Sequence, residues 1–150
     1  MTASVPGTSP HTAEHAVDVL RYSAFTTDPS GGNPAGVVLG TGALADTAIL
    51  AVAARIGYSE TAFVTARDEA ARRYRVRYFS PRAEVAFCGH ATIATAAALA
   101  ERSGPGELVF DTAAGEIRVT TTTGDGPPRA TLTSVPGHSR PAEAVRLPEE

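Results

Sequence analysis

Three consecutive residues, Cys88-Gly89-His90, open a run of small apolar residues at 91–100 that reads as a helix. The first turn of a helix presents unpaired N–H groups and a partial positive charge, and so suits a carboxylate or phosphate. Glycine at that position lets a ligand approach the backbone. A thiol held there is expected to ionise more readily than a free one, and His90 beside it offers a base. Taken singly, Cys88 has an ordinary role as a small buried hydrophobe and His90 as a capping group. Together the three residues point to an anion site with a nucleophile or base at its edge.

A second candidate is Ser59-Glu60-Thr61, between the helix-closing Gly57 and a strand. With Tyr58 on one side and Ala62-Phe63-Val64 on the other, the Glu60 carboxylate is expected to be partly desolvated. That is the environment of a general acid–base; a strand-edge carboxylate in water is the equally weighted alternative. A third is Gly31-Gly32-Asn33-Pro34-Ala35-Gly36. It lacks both the G-x-G-x-x-G spacing and a Lys-Ser/Thr pair, so it is not a nucleotide loop. It reads as a turn, or as an asparagine amide facing a substrate carboxylate or amine.

Two further patterns carry no function. His11-Thr12-Ala13-Glu14-His15 matches an inverted zinc-protease motif, but that chemistry needs a helix to bring both histidines to one face. Here the motif lies in a Pro/Gly-rich arm and reads as a solvated tail, so no metal is expected. Arg72-Arg73-Tyr74-Arg75-Val76-Arg77 interleaves basic and aromatic residues as nucleic-acid binders do. On a strand, however, its arginines simply occupy the wet face, and the net charge of −3 argues against a nucleic-acid partner.

The elements that must position these residues follow from periodicity and turn chemistry. Residues 17–25 alternate without a polar face, as expected for a strand buried on both sides. A turn cluster at 28–34 and a short strand at 36–39 follow. Asp46 is expected to cap a helix over 47–56, whose Ile49, Leu50, Val52, Ala53 and Ile56 make one apolar stripe. A strand at 60–65, a polar turn at 67–71 and a half-buried strand at 73–79 come next. The helix 89–102 ends at Ser103-Gly104-Pro105, and strands at 107–112, 116–122 and 129–135 complete the order. Two helices among strands joined by short turns indicate an α+β fold with a mostly antiparallel or mixed sheet. Residues 1–15 read as a flexible arm, 16–135 as one domain, and 136–150 as a linker toward a second domain beyond this sequence.

Composition sets the outer bounds. The 150 residues, 43% hydrophobic and 19% charged, suffice for one packed domain and exclude wholesale disorder. The longest apolar stretches, 48–56 and 91–100, are too short to span a membrane, and the N-terminus lacks the pattern of a secretory signal. One cysteine permits neither an internal disulfide nor a several-thiolate metal cage. These features fit a cytoplasmic protein. All thirteen basic residues are arginine, so lysine Schiff-base chemistry is excluded.

Three segments, Phe25…Gly32-Asn33-Pro34-Ala35-Gly36-Val37, Ile56-Gly57-Tyr58-Ser59-Glu60-Thr61-Ala62-Phe63-Val64 and the run from Tyr78 through Cys88-Gly89-His90 to Ile93, resemble the PhzF-like phenazine biosynthesis proteins in order and spacing. The resemblance covers residues 17–135. It implies the first half of a diaminopimelate-epimerase-like architecture, in which two α+β halves, each a sheet wrapped around a central helix, enclose a cleft. Residues 89–102 would be that helix. It further implies a cofactor-independent isomerase that moves a proton on a small, anionic metabolite in a biosynthetic process, and that works as a homodimer. Glu60 takes the position of the proton-transferring acid–base, and Gly89 and His90 that of substrate contacts, with Asn33 and Ser59 lining the pocket. Cys88 departs from the phenazine enzyme and is similar to the Cys-Gly-His segment of proline racemases and hydroxyproline epimerases, in which paired thiols work on opposite faces of an α-carbon. A thiol-dependent racemase using Cys88 is therefore the second expectation, and a non-catalytic half that dimerises or binds a partner is the third.

Overall fold

The computed structural model describes residues 17–26, 28, 30–42, 44–134 and 138–148. The expected arm and its His11/His15 motif lie outside the described residues. The order is β1 (Leu20–Ala24), β2 (Asn33–Val38), α1 (Asp46–Ile56), β3 (Thr61–Asp68), β4 (Arg73–Phe79), β5 (Glu84–Val85), α2 (Gly89–Ser103), β6 (Gly106–Thr112), β7 (Gly115–Thr122), β8 (Arg129–Ser134) and β9 (His138–Arg146).

All nine strands belong to one sheet in the order β3-β2-β1-β9-β8-β7-β6-β4-β5, and a further β3–β4 pairing closes it into a barrel. The β2–β3 and β4–β6 pairs are parallel and the others antiparallel, so the sheet is mixed, as expected. Strand β4 is the seam. One edge pairs with β3, while the other is shared between β6, at Arg73–Arg75, and β5, at Tyr78–Phe79.

Local sequence explains most elements. In β4, Tyr74, Val76 and Tyr78 point inward and are buried, whereas Arg73 and Arg75 are exposed. Strand β1 is buried at every position but Arg21, which matches its lack of a polar face. In the turn between β1 and β2, Gly32 has φ +75°, and a Cβ there would lie 2.3 Å from the Ala24 carbonyl oxygen, so glycine is required. Helix α2 is buried at ten consecutive positions, Ala91 to Ala100. It packs against β1, β2, β3, β7, β8 and β9. A helix apolar all round belongs in an interior, and alanine combines a slim cylinder with high helix propensity. The larger core cluster joins α2 to Tyr22, Tyr74, Tyr78, Leu108 and Phe110, and a smaller one seats α1 through Ile49, Val52 and Ala53 against Phe63 and Phe79.

Three expectations are corrected. His138–Arg146, expected within a linker, is strand β9, paired with β8 over Ser134–Arg129 and with β1 over Tyr22–Ala24. Pro141 is tolerated because β9 pairs with β1 only at Ala144–Arg146, so the proline has a strand neighbour on one side only. Asp46 does not cap α1. The cap position is Ala45 without a side-chain bond, and the Asp46 carboxylate instead accepts from Arg77 at 3.0 and 3.2 Å. The polar turn expected at 67–71 begins later, because β3 runs on to Asp68 opposite Arg73.

Candidate functional site

Strand β3 and helix α2 begin side by side. Register places Thr61 opposite Gly36 on one side and Phe79 on the other, and the Gly36 N–H donates to the Glu60 carbonyl at 3.3 Å. A Cβ on Gly36 would meet Thr61 and Ile56 atoms at 3.0–3.3 Å, so this glycine lets the two strands close up around Glu60. Glu60 therefore leaves the barrel at a fixed point, just before β3 enters the core.

Helix α2 starts from Cys88, which holds an extended backbone at φ −148°, ψ 119°. The Cys88 carbonyl accepts from the Thr92 N–H at 3.0 Å and the Thr92 hydroxyl at 2.8 Å. The Tyr78 hydroxyl shares a 2.7 Å hydrogen bond with the same Thr92 oxygen, and the Phe87 ring packs edge-on against Tyr78 at 5.7 Å between centroids. Burial holds the Tyr78 phenol well above its ordinary range, so it serves as a neutral strut. Tyr78 and Thr92 were not singled out from sequence. The inward alternation of β4 marks Tyr78 as core, but only packing shows that it braces the start of α2.

The result is a close triad. His90 Nε2 lies 3.4 Å from Glu60 Oε1, and Cys88 Sγ lies 3.4 Å from His90 Nδ1 and 3.7 Å from Nε2. All three side chains are partly buried, with 22% of Glu60 and 16% of His90 exposed, so each faces both core and solvent. The first turn of α2 has no acidic residue of its own; Glu60 comes to it from β3. Gly89 has no packing reason to be glycine, since a Cβ there would meet no heavy atom within 4 Å. Open space thus lies beside Gly89, while the His90 and Ala91 N–H groups face the Cys88 sulfur.

One expectation about reactivity is reversed. Burial, the dominant cause, pushes the Cys88 thiol up to about 11, and the Glu60 carboxylate adds to the rise. The Ala91 and His90 N–H groups pull the other way but do not win. Helix position alone does not activate a thiol when desolvation and a neighbouring anion oppose it.

Of the residues expected in the site, the fold brings Glu60, Cys88, Gly89 and His90 together. Ser59 is exposed in the loop before Glu60. Asn33 is exposed at the start of β2, opposite Ala24 and three residues ahead of Gly36. Among the described residues neither is hydrogen-bonded to the triad. The Arg73 and Arg77 guanidiniums, part of the basic run on β4, are engaged by carboxylates: Arg73 by Asp111 and Glu116, Arg77 by Glu84 and Asp46. No helix among the described residues is long and apolar enough to cross a membrane.

The chain is 45% identical over 85 residues to an uncharacterized isomerase, YfhB, of Bacillus subtilis, covering 57% of this chain and 28% of that protein. It is 39% identical over 110 residues to an uncharacterized isomerase of Mesorhizobium japonicum, covering 71% and 36% respectively. A Bacillus anthracis phenazine biosynthesis protein of the PhzF family superposes with a TM-score of 0.68 at 35% identity, over 77% of this chain and 40% of that one. A protein from Pseudomonas aeruginosa described as a predicted epimerase shares the fold, with a TM-score of 0.71 at 23% identity over 77% and 42%. The chain thus spans well under half the length of the relatives it matches. The PhzC-PhzF family model, phenazine biosynthesis-like protein, matches residues 22–146, from β1 to the end of β9, and the chain belongs to that family.

Proposed function

We propose that this chain is the N-terminal half of a PhzF-like isomerase that transfers a proton on a small, anionic metabolite without a cofactor. The single observation that carries this is the 3.4 Å approach of the Glu60 carboxylate to His90 at the open N-terminus of α2. In this reading the sheet wraps around α2 as a central helix, and the second half of the architecture supplies the facing wall of a cleft.

Glu60 takes the proton from one position of the substrate and returns it at another, the substrate's double bonds shifting to match. It suits the task because it is anchored by the Gly36–Glu60 backbone bond while its carboxylate remains within reach of solvent. A substrate carboxylate sits beside Gly89, where a side chain is absent and the start of α2 favours an anion. His90 donates to that carboxylate or to Glu60 and sets which oxygen of Glu60 is basic. Asn33 and Ser59 line the rim and meet the substrate as the cleft closes. In the full assembly the protein works as a homodimer.

The test is proton exchange in the complete enzyme. Glu60→Gln should lower deuterium incorporation into substrate by ~10²–10⁴-fold, the usual share of general acid–base catalysis, with thermal stability unchanged. Exchange at the original rate would end the assignment. A racemase that uses the Cys88 thiolate is the second reading, favoured by the 3.4 Å contact of Sγ with the His90 ring. It predicts the opposite pattern, with Cys88→Ser inactive and Glu60→Gln harmless. The raised thiol weighs against it. A half that only dimerises or binds a partner predicts no turnover in any assembly of this chain.

A further inference from the structure

We propose that Tyr78 is a positioning residue that sets the spacing between Glu60 and His90 from behind the site. Its kinetic consequence rests on the proton-transfer reading above; its structural consequence stands on geometry alone.

Glu60 and His90 belong to different elements, so their 3.4 Å approach must be held by something that reaches both. Tyr78 does so. Its backbone pairs with Ala62 on β3, just past Glu60, and the next residue, Phe79, pairs with Thr61. On its other side Tyr78 pairs with Val85 of β5, the strand that leads through Phe87 to Cys88. Its phenol reaches Thr92 in the first turns of α2, just past His90. One residue thus holds the strand that carries Glu60 by its backbone and the helix that carries His90 by its side chain.

The bonds have a direction. The Thr92 hydroxyl gives its one hydrogen to the Cys88 carbonyl at 2.8 Å, so it accepts from the Tyr78 O–H at 2.7 Å. The first residue before α2 is thereby tied to β4 through two hydroxyl-bearing side chains, both fully excluded from solvent. A buried hydroxyl without a partner is costly, which keeps this pair closed. Burial also holds the Tyr78 phenol far above its ordinary range, so the donor keeps its proton wherever Glu60 works as a base.

Tyr74 supplies the contrast. It lies on the same inner face of β4 and is equally buried, but its hydroxyl donates to Glu69, in the turn after β3, at 3.0 Å. That bond ties β4 to its own turn and leaves the start of α2 alone.

The experiment compares Tyr78→Phe with Tyr74→Phe, each of which removes one hydroxyl and keeps the ring. In the 150-residue chain, nuclear Overhauser contacts between the His90 ring and the Glu60 side chain should persist in Tyr74→Phe and weaken in Tyr78→Phe. In the complete enzyme, Tyr78→Phe should lower kcat for proton exchange by ~10- to 100-fold with KM within about twofold, whereas Tyr74→Phe should leave both unchanged. Thr92→Val breaks the same bonds, so combining it with Tyr78→Phe should be no slower than the slower single variant. Thr92→Ser, which keeps the hydroxyl, should retain the wild-type rate. Thermal transitions of all variants separate these effects from a general loss of stability. Contacts and kcat both retained in Tyr78→Phe, or equal kcat losses in Tyr78→Phe and Tyr74→Phe, would overturn the proposal. A fully active Glu60→Gln would instead end the proton-transfer reading, and the Overhauser comparison would still decide whether Tyr78 sets the spacing.

Discussion

The two helices of this protein begin in opposite ways. Helix α1 carries its own anion: Asp46 is in its first turn, and Arg77 from β4 clasps that carboxylate together with Glu84. There one guanidinium serves two carboxylates. Arg77 holds both the Asp46 and the Glu84 carboxyls below their usual range, and is itself pushed upward. Helix α2 begins with a thiol, a glycine and an imidazole, has no acid in its first turn, and receives a carboxylate from a distant strand. At α1 the acid is local and already paired with an arginine, whereas at α2 the carboxylate is brought in by another strand. A helix N-terminus is thus not by itself a site; what matters is whether its own sequence has already filled it.

The largest effect expected from this contrast is on activity. In the complete enzyme, Glu60→Gln should cost ~10²–10⁴-fold in proton exchange, whereas Asp46→Asn, the acid at the other helix, should leave exchange within about twofold. Comparable losses in both variants would erase the distinction.

Next in size is the thiol. With its proton held up to about 11 against an ordinary 9.0, Cys88 should react with iodoacetamide ~100-fold more slowly at pH 8 than in the urea-unfolded chain. Glu60→Gln should speed alkylation by removing the neighbouring anion. Because the folded state holds this proton more tightly, its contribution to stability is fully present below the ordinary thiol range. That contribution declines as the pH rises toward about 11.

Gly89 separates ligand from packing. Gly89→Ala fills open space, so the chain should be as stable as before or up to ~1 kcal/mol more so. Substrate binding in the complete enzyme should nevertheless weaken by about tenfold, read as a rise in KM with kcat less affected. A loss of stability would mean that the glycine serves the fold after all.

The smallest effect belongs to α1. Arg77→Met should lower stability by at most ~1 kcal/mol at pH 7, since its carboxylate partners are largely exposed. These carboxyls have lowered folded-state values, so their contribution is present above the ordinary carboxylate range and lost as the pH falls through the folded values. Denaturant melts of wild type and Arg77→Met should therefore converge in acid.

Much of this was legible in residue order. The alternation of Tyr74, Val76 and Tyr78 with arginines fixed the inner face of β4, the alanine-rich run at 91–100 marked a helix of small apolar residues, and Gly57 and Gly104 marked the ends of the two helices. These features depend on side-chain period and backbone freedom, which neighbours in sequence control. Strand β9 was not legible, because the stretch 136–150, with Pro136, Gly137, Pro141 and Pro148, reads as linker, and β9 is held not only by the adjacent β8 but by β1, far away in the chain. Likewise the sequence placed Asp46 at a helix start but could not show that Arg77 would claim it.

The site divides along the same line. Sequence by itself determined that Cys88, Gly89 and His90 stand together at a helix start and that Glu60 precedes a buried strand, since both facts are local. Only the tertiary structure decided that Glu60 and His90 meet at 3.4 Å and that the thiol is buried enough to hold its proton. Those outcomes depend on the β2–β3 register, the Tyr78–Thr92 brace and the closing of β3 on β4. Distance and desolvation are properties of the packed chain, and no run of neighbouring residues encodes them alone.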